Sequence, residues 1–478
     1  MPPFGLLFAF GLGMALSRLS SLRDRAGQGF SLPAFTHTID IRNQARRFVG
    51  THGWLQTTLL IIGTISVLTV LGALFIAAGT APDKLYTDGE VGAVDSMLFA
   101  HSLSNLVNAP IGEGGTVTVL NNGDEFVPAL INAIDHARHT VNFSVYIWEN
   151  GTFSTRLLDA LLRARNRGVA VRVLLDDFGA KSLAFSTFND LERAGAKVER
   201  FRTPQFGKWT RLHRRNHRRS IVIDGEIGFT GGMAVKDVWL GNAEDSEHWR
   251  DVMFRMTGPL ARSLQSAFVS SWVGSSGELL VGPEMYPEMR QESVGVERFI
   301  HLANSPAPDN YAMAEFFILP ILAARKSIFA VTPYFIPDKH LESALKRKAQ
   351  EGVDVRLLLP GKNTDSRLSR LIAQSHYEEL LKAGVKIYEY NPTFIHSKFM
   401  VVDGQWSMIG TPNLNYRSRQ LDEENAFGIL DRRLAEQLGG VFHADAEKAE
   451  PIQLDRWSRR NTVWRFVERF AQFFDKQD

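Results

Sequence analysis

The chain repeats itself. GVAVRVLLD at 168–176 returns as GVDVRLLLP at 352–360, AGAKV at 194–198 as AGVKI at 383–387, and HRRSIVIDG at 217–225 as HSKFMVVDG at 396–404. The order of the matched segments is kept while the spacing between them drifts, as in a duplicated unit whose loops have changed length. Each copy alternates helical stretches, 155–167 and 341–351, with short β-branched runs. That alternation predicts an α/β lobe built on a mixed sheet flanked by helices. Two such lobes are expected to pack as a pseudo-two-fold pair with a shared site at their interface. On this reading 114–290 is the first lobe and 291–450 the second. Residues 1–82 precede them as an N-terminal anchor, 83–113 as a linker, and 451–478 follow as an amphipathic tail.

The anchor is read from charge and hydropathy. No residue from 48 to 82 carries a formal charge, and 54–79 is largely apolar. As helix, that stretch would extend about 39 Å, enough to cross about 30 Å of hydrocarbon with some tilt. A buried core helix is the alternative, and the uninterrupted length argues against it. Residues 3–16 are also apolar, but short and glycine-rich, and lack the basic start of a cleaved signal peptide. Arg18, Arg23, Arg25, Arg42, Arg46 and Arg47 face only Asp24 and Asp40 before the span, whereas Asp83, Asp88, Glu90 and Asp95 follow it with Lys84. The positive-inside bias then sends the lobes outward.

With 54 basic and 52 acidic residues the global charge argues neither for nor against a polyanionic partner. The absence of cysteine removes disulfides, thiolate nucleophiles and Cys-type zinc sites together.

The chemistry lies in the repeated HRRSIVIDG and HSKFMVVDG. Each has a His, a cation two residues on, apolar residues, then Asp-Gly. On a strand, residues two apart share a face, so His217 sits beside Arg219 and His396 beside Lys398. Asp224 and Asp403 follow at an odd separation, face the other way next to a turn, and look structural by strand geometry alone. Two His–cation pairs suit a phosphodiester. The cations neutralise the non-bridging oxygens, one imidazole attacks phosphorus, and the other protonates the leaving alkoxide and later activates the acceptor alcohol. No metal or other cofactor is required. One His-x-Lys is a weak signal; two copies at equivalent repeat positions, each leading into a glycine turn, are a strong one.

Over about 115–450 the chain resembles the phospholipase D superfamily, and within it the bacterial cardiolipin synthases. TPYFIPD (332–338), LLPGKNTDS (358–366), YEELLKAGVKIYEYNPTFIHSK (377–398), WRDVMFRMTGP (249–259) and GTPNLNYRS (410–418) carry the likeness. The resemblance implies two phospholipase D-like lobes with catalytic residues at His217, Arg219, Asp224, His396, Lys398 and Asp403. His217 would be the nucleophile and His396 the acid and base. Asn413 would bind substrate, and Asp251 and Glu424, each downstream of its own histidine, would orient the rings. Implied too are anionic phospholipid substrates, no nucleic-acid partner, and a place in a bacterial inner membrane with the catalytic part on the outer side.

Two departures fall in the first repeat. Arg219 stands where the family has Lys, keeping the charge but presenting a larger planar fork. The Gly-Gly-x-Asn pattern reads Gly231-Gly232-Met233-Ala234, so the amide that Asn413 supplies has no counterpart. Nearby, Lys208, Arg211, Arg214, Arg215, Arg218 and Arg219 crowd together with Phe206 and Trp209. A solvated basic loop and an anionic-lipid surface both fit that run. In the tail, Val463, Phe466, Val467, Phe470 and Phe474 have helical spacing and are expected to pack on the catalytic lobe or enter a headgroup layer. The functions to weigh are transfer that makes cardiolipin and glycerol from two phosphatidylglycerols, hydrolysis to phosphatidic acid, a membrane-anchored nuclease, and a lipid-binding scaffold with a decayed first half-site.

Overall fold

The computed structural model describes residues 89–201, 214–288, 295–307 and 310–460, with residue 87 and scattered positions between 58 and 69. The expected span at 54–79 lies mostly outside the described residues, as do 3–16 and the tail beyond 460. Residues 61–67 are helical and exposed. Among the described residues no helix is long and apolar enough to cross a membrane. Residues 80–478 form one compact unit.

That unit begins with α1 (Met97–Leu106) and β1 (Ile111–Gly112), within the stretch read as a linker. Ser96 caps α1 by accepting from the Phe99 N–H. Next come β2 (Val117–Asn121), α2 (Asn122–Asp135), β3 (Thr140–Val145), α3 (Thr152–Asn166), β4 (Ala170–Asp176), α4 (Asn189–Arg193) and β5 (Lys197–Phe201). β6 (Ser220–Ile223), β7 (Ile227–Gly231), β8 (Val252–Thr257) and α5 (Gly258–Ser276) follow. These strands form a seven-stranded sheet in the order β2-β8-β7-β6-β3-β4-β5, with β3, β4 and β5 parallel and the rest antiparallel.

The second half runs β9 (Arg298–Asn304), α6 (Ala312–Ala323), β10 (Ser327–Val331), α7 (Lys339–Gln350), β11 (Asp354–Pro360), α8 (Arg367–Lys382) and β12 (Lys386–Tyr390). It continues with β13 (Phe399–Val402), β14 (Trp406–Gly410), α9 (Tyr416–Gln420), β15 (Glu424–Leu430), α10 (Arg432–Ala446), β16 (Ala449–Ile452) and α11 (Leu454–Ser458). Its nine-stranded order is β1-β9-β15-β14-β13-β10-β11-β12-β16. Without β1 and β16 this is the first sheet again, strand for strand. The duplication and the mixed α/β sheets expected from the repeat are therefore present.

The parallel strands explain the apolar runs. β4 and β11 are covered by helices on both sides and read as near-continuous Val and Leu. Between the lobes, Val222, Val252, Phe254 and Leu264 of the first share one apolar cluster with Leu358, Ile395, Phe399 and Phe427 of the second. A Leu358→Ala change in that cluster would cost about 2–5 kcal/mol. This shared core fixes the lobes against each other, which the site requires.

Candidate active site

Both histidines precede an inner antiparallel strand, His217 before β6 and His396 before β13. Backbone pairing joins each approach segment to the opposite lobe. Asn216 forms a parallel bridge with Glu423, and Ile395 with Arg250. The His217 N–H donates to the Glu423 carbonyl at 3.0 Å, and the His396 N–H to the Arg250 carbonyl at 2.7 Å. The residue after each of those carbonyls is the carboxylate that meets the ring. His217 Nδ1 lies 2.9 Å from both Glu424 oxygens, and His396 Nδ1 lies 2.9 Å from Asp251 Oδ2. The pairing is thus crosswise, and corrects the expectation that each acid serves the histidine of its own repeat. The reason is the pseudo-two-fold: it sets the start of β8 beside the β13 approach, and the start of β15 beside that of β6.

A carboxylate on Nδ1 fixes the tautomer with Nδ1–H and leaves Nε2 for chemistry. Burial, then the charges of Arg219 and Lys398, hold His217 well below the usual imidazole range, and His396 is lowered by the same causes. Both rings are therefore neutral at rest. Burial pushes Asp251 up to about 6 and Glu424 up to about 7. It pulls Lys398 down to about 7, against the attraction of Asp251. Lys398 Nζ donates to the His396 carbonyl at 2.8 Å and lies 3.0 Å from Nδ1 and 3.1 Å from Nε2 of the same residue's ring. Arg219 Nη1 donates to the His217 carbonyl at 2.8 Å, while its buried Nε has no hydrogen-bond partner among the described residues.

Asp224 and Asp403 are elsewhere. Each sits in a turn at the far end of its strand, at φ 54° and 56°, with a positive-φ glycine after it. An extended run of that length reaches about 23 Å. Asp224 accepts from the backbone N–H groups of Arg138, His139 and Thr140, and Asp403 from those of Arg325, Lys326 and Ser327. The strand-geometry expectation describes them; the catalytic place implied by resemblance does not match their contacts. Asn413 is buried, donates its backbone N–H to Ser418 Oγ at 2.9 Å, and leaves Oδ1 without a partner among the described residues. Its first-lobe counterpart, Ala234, packs in that lobe's core.

Comparison with known proteins fits this geometry. The family described as cardiolipin synthase, PLD-like domain, matches residues 130–244 and 318–446. Cardiolipin synthase 2 of Bacillus anthracis is 36% identical over 351 residues, covering 73% of this chain and 68% of the relative. Probable cardiolipin synthase YwiE of Bacillus subtilis is 30% identical over 397 residues, covering 82% and 78%. The chain belongs to the cardiolipin synthase family of phospholipase D-like enzymes. The crystal structure of phosphatidylserine synthase from Haemophilus influenzae Rd KW20 shares the fold, with a TM-score of 0.61 at 15% identity, covering 79% of this chain and 98% of that one.

Several neighbours of this family's two histidines escaped the motif reading. Trp239, Trp249, Phe394 and Tyr334 surround His396 with ring centroids 5.4, 5.8, 5.6 and 6.2 Å away. His217 meets Tyr146 at 5.2 Å. Thr411 Oγ1 and Ser418 Oγ donate to Glu424 at 2.5 and 2.6 Å. Trp249, Tyr334, Thr411 and Ser418 lie inside segments that carry the family likeness; Tyr146 and Trp239 have no such flag.

The basic run also divides. Lys208 and Arg211 lie outside the described residues. Arg218 is buried, donating to Ser271 Oγ at 2.9 Å and the Asn304 carbonyl at 2.8 Å, with Glu423 at 3.4 Å. It clamps the lobes together instead of meeting solvent. Arg215 stays near the surface with its guanidinium 3.9 Å from the Phe178 ring centroid.

Proposed function

We propose that this enzyme is a phosphatidyltransferase that joins two phosphatidylglycerol molecules into cardiolipin and glycerol through a phosphohistidine on His217. The observation that carries the reading is the crosswise His–carboxylate pair: two neutral imidazoles, each with Nδ1 engaged, enclosed with two cations between the lobes. His217 Nε2 attacks phosphorus of the first lipid, and the bond from phosphorus to the glycerol headgroup oxygen breaks. His396 Nε2 delivers a proton to that oxygen, having gained it from the medium. The same nitrogen then takes the proton of a headgroup hydroxyl on a second phosphatidylglycerol. That oxygen attacks the phosphohistidine, and the P–N bond breaks to restore His217.

Two features favour His217 as nucleophile. Among the described residues no hydrogen bond reaches its Nε2, whereas the Lys398 ammonium lies against both ring nitrogens of His396, 3.0 Å from Nδ1 and 3.1 Å from Nε2. In addition, Arg219 holds an unused buried N–H, a donor that a phosphoryl oxygen would satisfy. Arg219 and Lys398 then stabilise the charge that develops on the non-bridging oxygens. Burial of both rings keeps bulk water from the intermediate and favours transfer over hydrolysis. Residues 54–79 would anchor the enzyme in a bacterial cell membrane with the lobes on the outer side.

Detergent-solubilised full-length protein incubated with phosphatidylglycerol alone, followed by mass spectrometry, tests this. Cardiolipin and free glycerol are expected, both lost in His396→Ala. Phosphatidic acid without cardiolipin would replace the transferase by a hydrolase.

A further inference from the structure

The equivalent strands β4 and β11 both end at the histidine side of their sheets, and the loops that leave them border the site. Asp176, last in β4, accepts from the backbone N–H of Asn216, the neighbour of His217, at 2.8 Å. Its other oxygen takes the N–H groups of Phe178 and Gly179 at 3.0 Å each, which holds this loop in place. The Phe178 side chain is nevertheless 49% exposed. Its ring lies 3.9 Å from the Arg215 guanidinium and 4.6 Å from the Lys181 ammonium.

The segment after β11 in the second lobe also exposes an apolar side chain among cations, farther along the chain. Tyr334, packed on His396, donates to Asp365 at 2.6 Å in the loop after β11. Leu368, in the first turn of α8, is 41% exposed, with Arg367 and Lys362 exposed beside it. The acids of the two loops are engaged, Asp177 with Arg200 at 3.4 Å and Asp365 with Tyr334.

A single exposed Phe or Leu is ordinary. Two in the segments that follow equivalent strands of the two lobes, each with cations alongside and each segment tied to the neighbourhood of a histidine, make a surface of defined chemistry. We propose that this rim docks the catalytic lobes on an anionic bilayer, with Phe178 and Leu368 in the headgroup layer and Lys181, Lys362 and Arg367 on lipid phosphates. This rests on the phospholipid reading above. Docking in this pose brings a phosphodiester, which lies at headgroup depth, to the two histidines without lifting the lipid out of the membrane.

The chain has no cysteine, so a single introduced one reports its own position. Phe178→Cys, Leu368→Cys and, at the opposite end of β6, Glu226→Cys are each spin-labelled in the full chain reconstituted into phosphatidylglycerol/phosphatidylcholine vesicles. Labels at 178 and 368 are expected to gain oxygen accessibility and lose accessibility to a water-soluble nickel chelate relative to 226. Equal aqueous accessibility at all three positions overturns the proposal. In parallel, Phe178→Ser combined with Leu368→Ser is expected to lose on the order of tenfold in activity on bilayer phosphatidylglycerol, with no change on monomeric dihexanoyl phosphatidylglycerol. An equal loss on both substrates overturns it as well. Absence of transfer by the unaltered enzyme on either substrate would reject the proposed reaction, while the label depths would still report docking.

Discussion

The two half-sites perform the same task with different parts. On the His217 side the ring partner is Glu424, whose longer arm is held by Thr411 and Ser418 hydroxyls. On the His396 side it is Asp251, held by the Trp239 indole N–H at 2.9 Å and the backbone N–H of Val252 at 2.7 Å. Gly232 occupies the place corresponding to Thr411, and a Cβ there would come within 2.2 Å of Asp251 Oδ1. The shorter acid and the missing side chain are therefore one change, with Trp239 supplying the donor that hydroxyls supply opposite. Gly232 is thus part of a differently built support, while Ala234 trades the amide of Asn413 for a place in the lobe core. Aromatic cover follows the same division, with four rings around His396 and Tyr146 against His217.

The largest test of this division separates attack from proton transfer. A phosphatidyl ester of p-nitrophenol leaves without needing a proton. His396→Ala should release about one equivalent of nitrophenol per enzyme in a burst and accumulate a covalent adduct on His217. His217→Ala should give neither, a loss beyond about 10⁴-fold in the burst rate. An adduct on His396 in the His217→Ala protein would reverse the roles of the two halves.

Next in size come the carboxylates. Glu424→Gln should lower kcat by about 10³–10⁴-fold, since a ring in the wrong tautomer cannot attack. Asp251→Asn should cost as much in turnover of phosphatidylglycerol but far less in the burst rate with the nitrophenyl ester, whose leaving group needs no proton from the His396 ring. Equal losses on both esters would mean that the crosswise partners do not divide the labour.

Where the halves agree, they should fail alike. Asp224 and Asp403 each tie three backbone amides of the loop before a parallel strand. Asp403→Ala is expected to lower unfolding free energy by about 2–4 kcal/mol, from losing charge-assisted hydrogen bonds to amides left unpaired. Asp224→Ala should match it, with kcat per folded molecule unchanged in both. A loss of kcat in protein that remains folded would return these residues to the chemistry.

That pair also marks how far the sequence reaches. Period-two strand geometry places Asp224 and Asp403 away from the histidines, and the repeat predicts two mixed-sheet lobes meeting at a site; both follow from local rules. The crosswise pairing does not, because it depends on which ends of β8 and β15 the pseudo-two-fold brings to each histidine. Trp239 was equally hidden. An indole can be recognised as the substitute for a hydroxyl only after Asp251 and Gly232 are seen together. Arg218 looked like part of a surface run because adjacent cations carry no mark of which one the lobe interface will enclose.

The smallest expected effect concerns the cations. In the proposed mechanism Glu424 and Asp251 act ionised, so activity should fall as pH drops through the region of about 7 and about 6 where burial has moved them. It also requires Lys398 protonated, and with that amine pulled down to about 7 the rate should fall again on the alkaline side. The outcome is a narrow bell near neutrality. Arg219 already does the corresponding job in the other half with a group that does not deprotonate in this range. Lys398→Arg should therefore leave the acid limb in place and move the alkaline limb upward. Relative to its own maximum, the variant should retain about tenfold more activity than the parent one pH unit above the parent's alkaline midpoint. An alkaline limb that stays where it was would assign the lost proton to a group other than Lys398, and the two cations would then differ in shape alone.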